Sequence, residues 1–380
     1  MDLLREAVSL ASYLPPFLFV LTIVVFFHEL GHFLVARACG VGVTTFSIGF
    51  GPELIGWNDR KGTRWRIAVI PLGGYVKFVG DENAASTPDR DALAGMSPEE
   101  RASSFQTKSV AARAAVVAAG PIANFILAVV VFTALFAVVG RMDIAPKVGA
   151  LTPGGVAETA GVRPGDMVVA VDGQPIESFM DLMRVVSERP GEPIALVLAR
   201  DGRNIEMSVT PRLVEEKSRF GVQRRGLLGI QASLDPADRR VHRFGPLEAL
   251  GAGAAETWFV VARTASYLGG IVAGRESIDQ LGGPLRVAQI SGEIAEVGFG
   301  ALINLIAVLS VSIGLLNLLP VPMLDGGHLL FYAAEAIRGR PLSERAQEIG
   351  FRIGLAFILM LFLVSSWNDV WHLASLKRGG

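Results

Sequence analysis

The sequence contains a single cysteine, Cys39, in 380 residues. One cysteine excludes a disulfide within the chain, so the fold cannot depend on such a cross-link. A lone thiol next to an apolar helical segment is more often a small packing residue than a metal ligand or a nucleophile. Cys39 therefore gives little information about the redox compartment and is not a candidate site residue.

The sequence is also poor in charge. Only 19% of the residues are charged, 51% are hydrophobic, the formal net charge is −1 and the mean hydropathy is +0.45. A chain this apolar is atypical of soluble enzymes and typical of membrane proteins. The near-zero net charge gives no indication of nucleic acid or of a strongly acidic partner, so the local placement of charge is more informative than its total.

Long apolar runs predict about four transmembrane helices in contact with membrane lipid, because a hydrocarbon core ~30 Å thick needs roughly 20 apolar residues in a helix. The runs lie at about 14–38, 111–139, 300–319 and 351–366. Pro320 and Pro322 end the third run, since a straight helix cannot continue through them. The first run is not interpreted as a cleaved signal peptide, because no small-residue cleavage site follows it.

A fifth apolar stretch at 247–272 contains Glu256 and Arg263 among many small residues. This composition predicts an amphipathic interfacial or packed helix rather than a span. It lies within a segment at 214–299, which precedes the second membrane half at 300–380.

Lysine and arginine set the predicted orientation. They are concentrated between the first two spans and again between the last two, and such basic connecting segments stay on the cytoplasmic side. Both termini and the region between the second and third spans are therefore expected outside the cytoplasm, although Lys377 and Arg378 near the carboxyl end oppose this orientation.

Three ionisable side chains interrupt the first apolar run: His28, Glu29 and His32. Histidines four residues apart lie one helical turn apart and can bind one zinc ion, while the adjacent carboxylate can act as the general base that activates water. A buried polar cluster without function is the alternative, but three such side chains are costly inside a membrane. The motif therefore predicts a Zn²⁺ site with two histidine ligands and a catalytic glutamate.

A catalytic zinc ion usually has three protein ligands and one open position, so a third ligand is needed. Asp325 is the preferred candidate, because it follows the proline break of the third run and precedes Gly326 and Gly327. Irregular backbone at membrane depth is tolerated where it is buried in protein or lines a cavity. His328 is the alternative third ligand, or a residue that supports the site from the start of the next helix.

The depth of the two motifs favours four spans over five. His28 and His32 lie ~21–27 Å along the first run, and the third run covers ~30 Å before its prolines, at about 1.5 Å per residue. If both runs enter from outside, Asp325 meets the histidines near the cytoplasmic leaflet. A fifth span at 247–272 would instead send Asp325 to the opposite face.

These residues and several other segments resemble the site-2 protease family, peptidase M50, and within it the bacterial regulator-of-sigma-E proteases. The resemblance covers nearly the whole chain and includes the segments 28–32, 49–52, 71–77, 120–124, 282–284 and 317–325. It implies a polytopic α-helical protein of the bacterial inner membrane. Such a protein cleaves single-span membrane proteins, such as anti-sigma factors or remnant signal peptides, after a site-1 protease has cut them.

The resemblance also implies the roles of individual residues. It implies zinc ligation by His28, His32 and Asp325. It further implies acid-base catalysis by Glu29 and a role for Asn317 in holding substrate or the oxyanion.

Within the connecting region at 44–110, residues 63–80 alternate well enough to form strands, which Gly73 and Gly74 could turn or bulge. An exposed strand edge at Gly73, Gly74 and Tyr75 could hold an unwound substrate by strand addition. A self-contained β-hairpin that only covers the core is the alternative, and the family resemblance favours substrate binding.

Residues 146–213 have the composition of a soluble α/β domain, with short apolar runs separated by glycine, proline and charge. The segments 152–161, 163–166 and 171–173 resemble one bacterial PDZ domain. A PDZ-like domain outside the cytoplasm could bind peptide ends and filter substrates, or it could only orient the second and third spans. A further strand could follow at 227–232.

Two other functions are alternatives to proteolysis. A catalytically silent membrane adaptor could use a metal ion only to join the first and third spans, but such a staple needs no base, so Glu29 favours catalysis. A metal transporter would need further polar residues in its spans, and the second run has almost none at 116–139.

Overall fold

The computed structural model describes residues 2–81, 95–218, 221–274 and 283–376. Within these residues the chain forms two compact units. The membrane unit contains the chain up to Leu135 and from Leu247 onward, and the β-rich unit contains Phe136–Pro246. The long apolar helices belong to the first unit, whereas most of the described strands belong to the second.

The α-helices of the described residues range in length from 4 to 37 residues. They are α1 (Asp2–Ala38), α2 (Pro98–Ser103), α3 (Val110–Val138), α4 (Val156–Thr159), α5 (Phe179–Ser187), α6 (Pro246–Val272), α7 (Pro284–Val297), α8 (Phe299–Asn317), α9 (Asp325–Arg338) and α10 (Glu344–Leu376). Helices α4 and α5 belong to the β-rich unit.

Four stretches of helix in the described residues are long and apolar enough to cross a membrane. They are Ser12–Ala38, Val110–Val138, Phe299–Asn317 and Arg345–Asp369. Their number agrees with the four spans predicted from the sequence. Helix α6, which covers the fifth apolar stretch, is not among them. The orientation of the spans stays a prediction.

An antiparallel hairpin of β1 (Val43–Asn58) and β2 (Arg64–Phe78) follows α1. Its turn lies at 59–63, where the Asp59 carboxylate accepts hydrogen bonds from the backbone N–H groups of Lys61 and Thr63. A side chain that binds the backbone two and four residues ahead stabilises a turn locally. The hairpin therefore reverses direction at Asp59.

Gly73 and Gly74, which were expected to turn or bulge the strands, lie within β2 and not at the 59–63 turn between β1 and β2. The alternative expectation, a bulge, agrees with the structure. Between the pairs Ile48–Gly74 and Phe50–Ile70, β1 advances by 2 residues and β2 by 4. Gly73 has φ +134°, and a Cβ there would lie 2.6 Å from the ring of Phe50, so the irregular register requires glycine at this position.

The membrane unit has two groups of buried apolar side chains. Where the end of α1, the hairpin and α3 meet, the buried residues include Phe33, Phe46, Phe105, Val116 and Val117. Between α1, α3 and α8, they include Val20, Val24, Leu127, Leu305 and Ile306. These two groups hold α1 against α3 and α8 on either side of the histidine motif.

The β-rich unit contains ten described strands. They are β3 (Arg141–Ile144), β4 (Val148–Leu151), β5 (Met167–Val171), β6 (Gln174–Pro175), β7 (Ile194–Arg200), β8 (Arg203–Val209), β9 (Arg212–Ser218), β10 (Gly221–Leu227), β11 (Ile230–Ala232) and β12 (Arg239–His242). Four of them form a sheet in the order β6-β5-β7-β8. Strand β11, which falls in the predicted strand at 227–232, pairs with β4, and β12 pairs with β3.

Helix α5 supplies one side of the core of the β-rich unit. Ser178 and Asp181 form a capping box at its first turn, which satisfies backbone N–H groups that a helix start leaves free. Leu182 of α5 is buried with Leu196 and Leu198 of β7. The alternating buried positions of β7 therefore face this helix.

Candidate metal centre

Helix α1 carries the two motif histidines on one face. His28 and His32 are one turn apart, with ring centroids 4.8 Å apart and Nε2 atoms 3.2 Å apart. Their side chains are only 10% and 12% exposed. Because both Nε2 atoms lie at the same position beside the helix, the pair can contribute two ligands to one metal ion.

Asp325, the first residue of α9, lies against both histidines. Its Oδ2 is 3.2 Å from Nε2 of His28, and its Oδ1 is 3.6 Å from Nε2 of His32. Ligands that each lie ~2.0–2.1 Å from a tetrahedral zinc ion are about 3.4 Å from one another. The spacing of the three residues therefore fits zinc. Apart from this contact with His28, the buried Oδ2 of Asp325 has no hydrogen-bond partner among the described residues, so this oxygen is available to a metal ion.

Two glycines allow the start of α9 to pack against the end of α8. A Cβ at Gly326 would lie 2.3 Å from the carbonyl oxygens of Leu318 and Leu319, and a Cβ at Gly327 would lie 2.4 Å from the carbonyl oxygen of Val321. No side chain fits at either position. The close return of the chain after the proline break is what brings Asp325 to the histidines.

Glu29 lines the same cavity of about 670 Å³ as the two histidines and Asp325. A Cβ at Gly74 would lie 3.0 Å from Cγ of Glu29. Strand β2 therefore passes directly beside the glutamate, and only a glycine leaves room for this contact.

The other residues predicted for substrate binding also line this cavity. Gly73, Gly74 and Tyr75 border it from β2, and Asn317 borders it from the end of α8. Nδ2 of Asn317 lies 3.5 Å from Nε2 of His28. The structure therefore brings all the predicted site residues to one cavity of the membrane unit.

His328, the alternative third ligand, lines the cavity but is separate from the cluster of metal-binding groups. Its ring centroid is 5.5 Å from that of Phe351 and 6.5 Å from that of Tyr332. Within the described residues, the group whose donor atoms lie within 4.8 Å of one another contains Asp325 and not His328.

Helix α3 contributes contacts that the sequence analysis did not assign to the site. The carbonyl oxygen of Val116 is 2.9 Å from Nδ1 of His32, and Nδ2 of Asn124 is 3.3 Å from Nδ1 of His28. A Cβ at Gly120 would lie 2.3 Å from Nε2 of His32 and 2.9 Å from Cε1 of His28. In the sequence, these contacts could have been inferred from a glycine and an asparagine inside an otherwise apolar helix.

Comparison with known proteins shows the family of the chain. Residues 16–361 match the family profile described as Peptidase family M50. The chain is 51% identical to a Rhizobium meliloti protein with the provisional name of a zinc metalloprotease, with 95% of this chain and 97% of the relative covered. It is 42% identical to the metalloprotease MmpA of Caulobacter vibrioides, with 93% and 94% covered. It is 31% identical to the regulator of sigma-E protease RseP of Salmonella typhimurium, with 95% and 99% covered.

One solved structure matches a smaller part of the chain. The crystal structure of the PDZ domain of an SdrC-like protein from Listeria monocytogenes matches 24% of this chain and 90% of its own, with 16% identity and a TM-score of 0.19. The family profile, in contrast, spans most of the sequence. The resemblance noted in the sequence is thereby confirmed, and the chain belongs to peptidase family M50.

Proposed function

We propose that this protein is a zinc-dependent intramembrane endopeptidase. His28, His32 and Asp325 hold the zinc ion, and Glu29 is the acid-base catalyst. The observation that carries the proposal is the 3.2–3.6 Å spacing of the three donor groups beside a glutamate on the same apolar helix. The relatives named as zinc metalloproteases support the choice of metal.

In the proposed reaction, Glu29 transfers the proton from the attacking water to the leaving amine. Zinc, when bound, polarises the scissile carbonyl and lowers the pKa of water. Glu29 removes a proton from the attacking water and transfers it to the departing amine. A C–O bond forms, the peptide C–N bond breaks, and Glu29 ends the cycle as the carboxylate with which it began.

The stretch of β2 at 74–78 offers a strand edge to the substrate. It pairs on one side with 43–48 of β1, and no strand among the described residues pairs with its other side. Gly74 and Tyr75 border the cavity from this stretch. Strand addition at this edge would hold the substrate extended and free the scissile carbonyl, which an α-helix keeps in i→i−4 hydrogen bonds.

Asn317 is proposed to donate a hydrogen bond to the substrate carbonyl or to the oxyanion. Its amide nitrogen lies 3.5 Å from Nε2 of His28 and therefore next to the reacting position. Donors that contact the developing negative charge contribute ~10²–10³ in rate in other hydrolases.

The proposed substrates are single-span membrane proteins that a site-1 protease has already cut. The name of the Salmonella relative, a regulator of sigma-E protease, supports anti-sigma factors as one class, and remnant signal peptides are a second. We assign the protein to the bacterial inner membrane, with the active site near the cytoplasmic side. The termini and the β-rich unit are assigned to the outside, where this unit acts as a PDZ-like module that recognises or filters substrate ends.

Replacement of Glu29 by glutamine tests the catalytic role. Glu29→Gln should reduce cleavage of a single-span test substrate by ~10²–10⁴-fold or more, because the proton acceptor is lost. Bound zinc, measured by atomic absorption on purified protein, should stay stoichiometric. His28→Ala is the matched control and should lose both zinc and cleavage. Undiminished cleavage by the Glu29→Gln protein would contradict the mechanism.

A further inference from the structure

Asn124 of α3 is a completely buried carboxamide beside His28. Its Nδ2 lies 3.3 Å from Nδ1 of His28. The hydroxyl of Ser310 donates a hydrogen bond of 2.9 Å to the backbone carbonyl oxygen of Asn124, and a Cβ at Gly314 would lie 3.2 Å from Cβ of Asn124. The residue is therefore fixed where α1, α3 and α8 meet.

The direction of this carboxamide decides which nitrogen of His28 carries the proton. If Nδ2 of Asn124 donates, Nδ1 of His28 has to accept, the proton lies on Nε2, and Nε2 cannot bind a metal ion. The same orientation leaves Oδ1 of Asn124 buried without a hydrogen-bond partner.

Rotation of the amide by 180° removes this conflict at His28. The rotation exchanges two atoms of nearly equal size, so that Oδ1 of Asn124 can accept a hydrogen bond from Nδ1–H of His28. Nε2 of His28 then presents its lone pair next to Asp325.

His32 has the corresponding arrangement. Its Nδ1 lies 2.9 Å from the carbonyl oxygen of Val116, and a carbonyl oxygen can only accept a hydrogen bond. The proton of His32 is therefore on Nδ1, which leaves Nε2 free to bind a metal ion. Val116 and Asn124 both belong to α3, so one helix contacts the Nδ1 atoms of both imidazoles.

We infer that Asn124 is a positioning residue of the zinc site, which accepts a hydrogen bond from Nδ1 of His28 and fixes the tautomer in which Nε2 is the ligand. The inference rests on the proposed function, because it requires His28 to bind zinc. It adds a residue that neither binds the metal nor transfers a proton. Partners of ligand imidazoles hold the ring orientation and raise its basicity, and their loss typically weakens metal affinity by ~10–100-fold.

The test is the zinc affinity of the full-length protein, measured by competition with a chelator of known affinity. Asn124→Leu removes the acceptor with little change of shape and should weaken zinc binding by ~10–100-fold. Asn124→Asp keeps an acceptor and removes the N–H donors, so it should bind zinc at least as tightly as the wild type. Ser312→Ala is the matched control, because it removes a serine hydrogen bond of α8, to the backbone carbonyl oxygen of Val308, that does not involve Asn124, and it should leave zinc affinity unchanged.

A second measurement does not depend on the folding of any Asn124 variant. Nitrogen NMR of the zinc-free wild-type protein with ¹⁵N-labelled histidine should show the Nδ1–H tautomer at His28, assigned through the signal that disappears in His28→Ala. An Nε2–H tautomer at His28 would overturn the inference. Wild-type zinc affinity in Asn124→Leu would overturn it too, and so would equal weakening in Asn124→Leu and Asn124→Asp, which would assign the effect to packing or to the N–H donors.

Failure of this inference can be distinguished from failure of the proposed function. If His28→Ala lost zinc while Asn124→Leu retained it, only the role of Asn124 would be wrong. If His28→Ala retained stoichiometric zinc, the proposed zinc site itself would be wrong.

Discussion

Two buried carboxylates of this protein, Asp166 in the β-rich unit and Asp325 in the membrane unit, have different surroundings. In the β-rich unit, Asp166 is only 2% exposed, and it accepts three hydrogen bonds of 2.7 Å, one from the backbone N–H of Arg163 and two from the guanidinium group of Arg200. The Arg200 guanidinium holds the pKa of Asp166 below its usual range. In the membrane unit, the buried Oδ2 of Asp325 contacts only Nε2 of His28 among the polar groups of the described residues, and this contact does not form a hydrogen bond.

This difference separates residues that support the fold from residues that form the site. A buried polar atom without a partner costs ~1–3 kcal/mol, and more if it is charged, and a bound metal ion would remove this cost at Asp325. The hydrogen bonds of Asp166 are complete within the chain. The buried oxygen of Asp325 instead lies beside His28. We therefore expect substitution of Asp325 to weaken zinc binding and substitution of Asp166 to lower the stability of the β-rich unit.

The largest effect is expected at Asp325. Asp325→Ala removes one of the three proposed ligands and should weaken zinc binding by more than the ~10–100-fold typical of outer hydrogen-bond partners, with loss of cleavage. Zinc content of the purified protein measures the effect, and His328→Ala serves as the control that should keep zinc. Retention of zinc by Asp325→Ala together with its loss in His328→Ala would transfer the third ligand to His328.

A smaller effect on zinc is expected from Gly120→Ala. Alanine is the better helix former by ~1 kcal/mol, but its Cβ would lie 2.3 Å from Nε2 of His32. Overpacked contacts cost ~1–3 kcal/mol, so zinc affinity should fall by roughly 10–100-fold while the helix content measured by circular dichroism is unchanged. Gly251→Ala in α6, where a Cβ would meet nothing within 4 Å, should bind zinc normally. Normal zinc binding by Gly120→Ala would show that the close contact of α3 with His32 does not affect zinc affinity.

No change in zinc binding is expected from Asp166→Asn. This change breaks the charged contact with Arg200 and should destabilise the β-rich unit by ~1–3 kcal/mol, measured by hydrogen exchange in the full-length protein. Asp172→Asn is the control, because Asp172 and its partner Arg189 are 34% and 42% exposed and such pairs contribute less than ~1 kcal/mol. Loss of zinc in Asp166→Asn would remove the distinction between the two kinds of carboxylate.

The sequence was most informative where structure depends on neighbours along the chain. The shared face of His28 and His32 follows from helical periodicity, and the break that precedes Asp325 follows from Pro320 and Pro322. The four apolar helices follow from length and composition. The choice of Asp325 also followed from a chemical requirement, since a catalytic zinc ion needs a third ligand.

The position of the hairpin turn and the role of α3 were not predicted. The hairpin turns at Asp59, whose carboxylate binds the backbone of the turn, whereas Gly73 and Gly74, which were predicted to turn or bulge the strands, lie within β2. The role of α3 depends on how closely two helices approach. A Cβ at Gly31 would lie 2.3 Å from the carbonyl oxygen of Ala119, and nothing local to either residue indicates this distance.

The central claim is that two histidines of one apolar helix and Asp325 hold a zinc ion. X-ray absorption at the zinc edge of the purified full-length protein measures the ligands directly. Zinc binding by His28, His32 and Asp325 predicts nitrogen and oxygen ligands at ~2.0–2.2 Å that include two imidazoles, with no sulfur. It also predicts the loss of bound zinc in His28→Ala. A sulfur ligand at ~2.3 Å, or an unchanged zinc spectrum in His28→Ala, would contradict it.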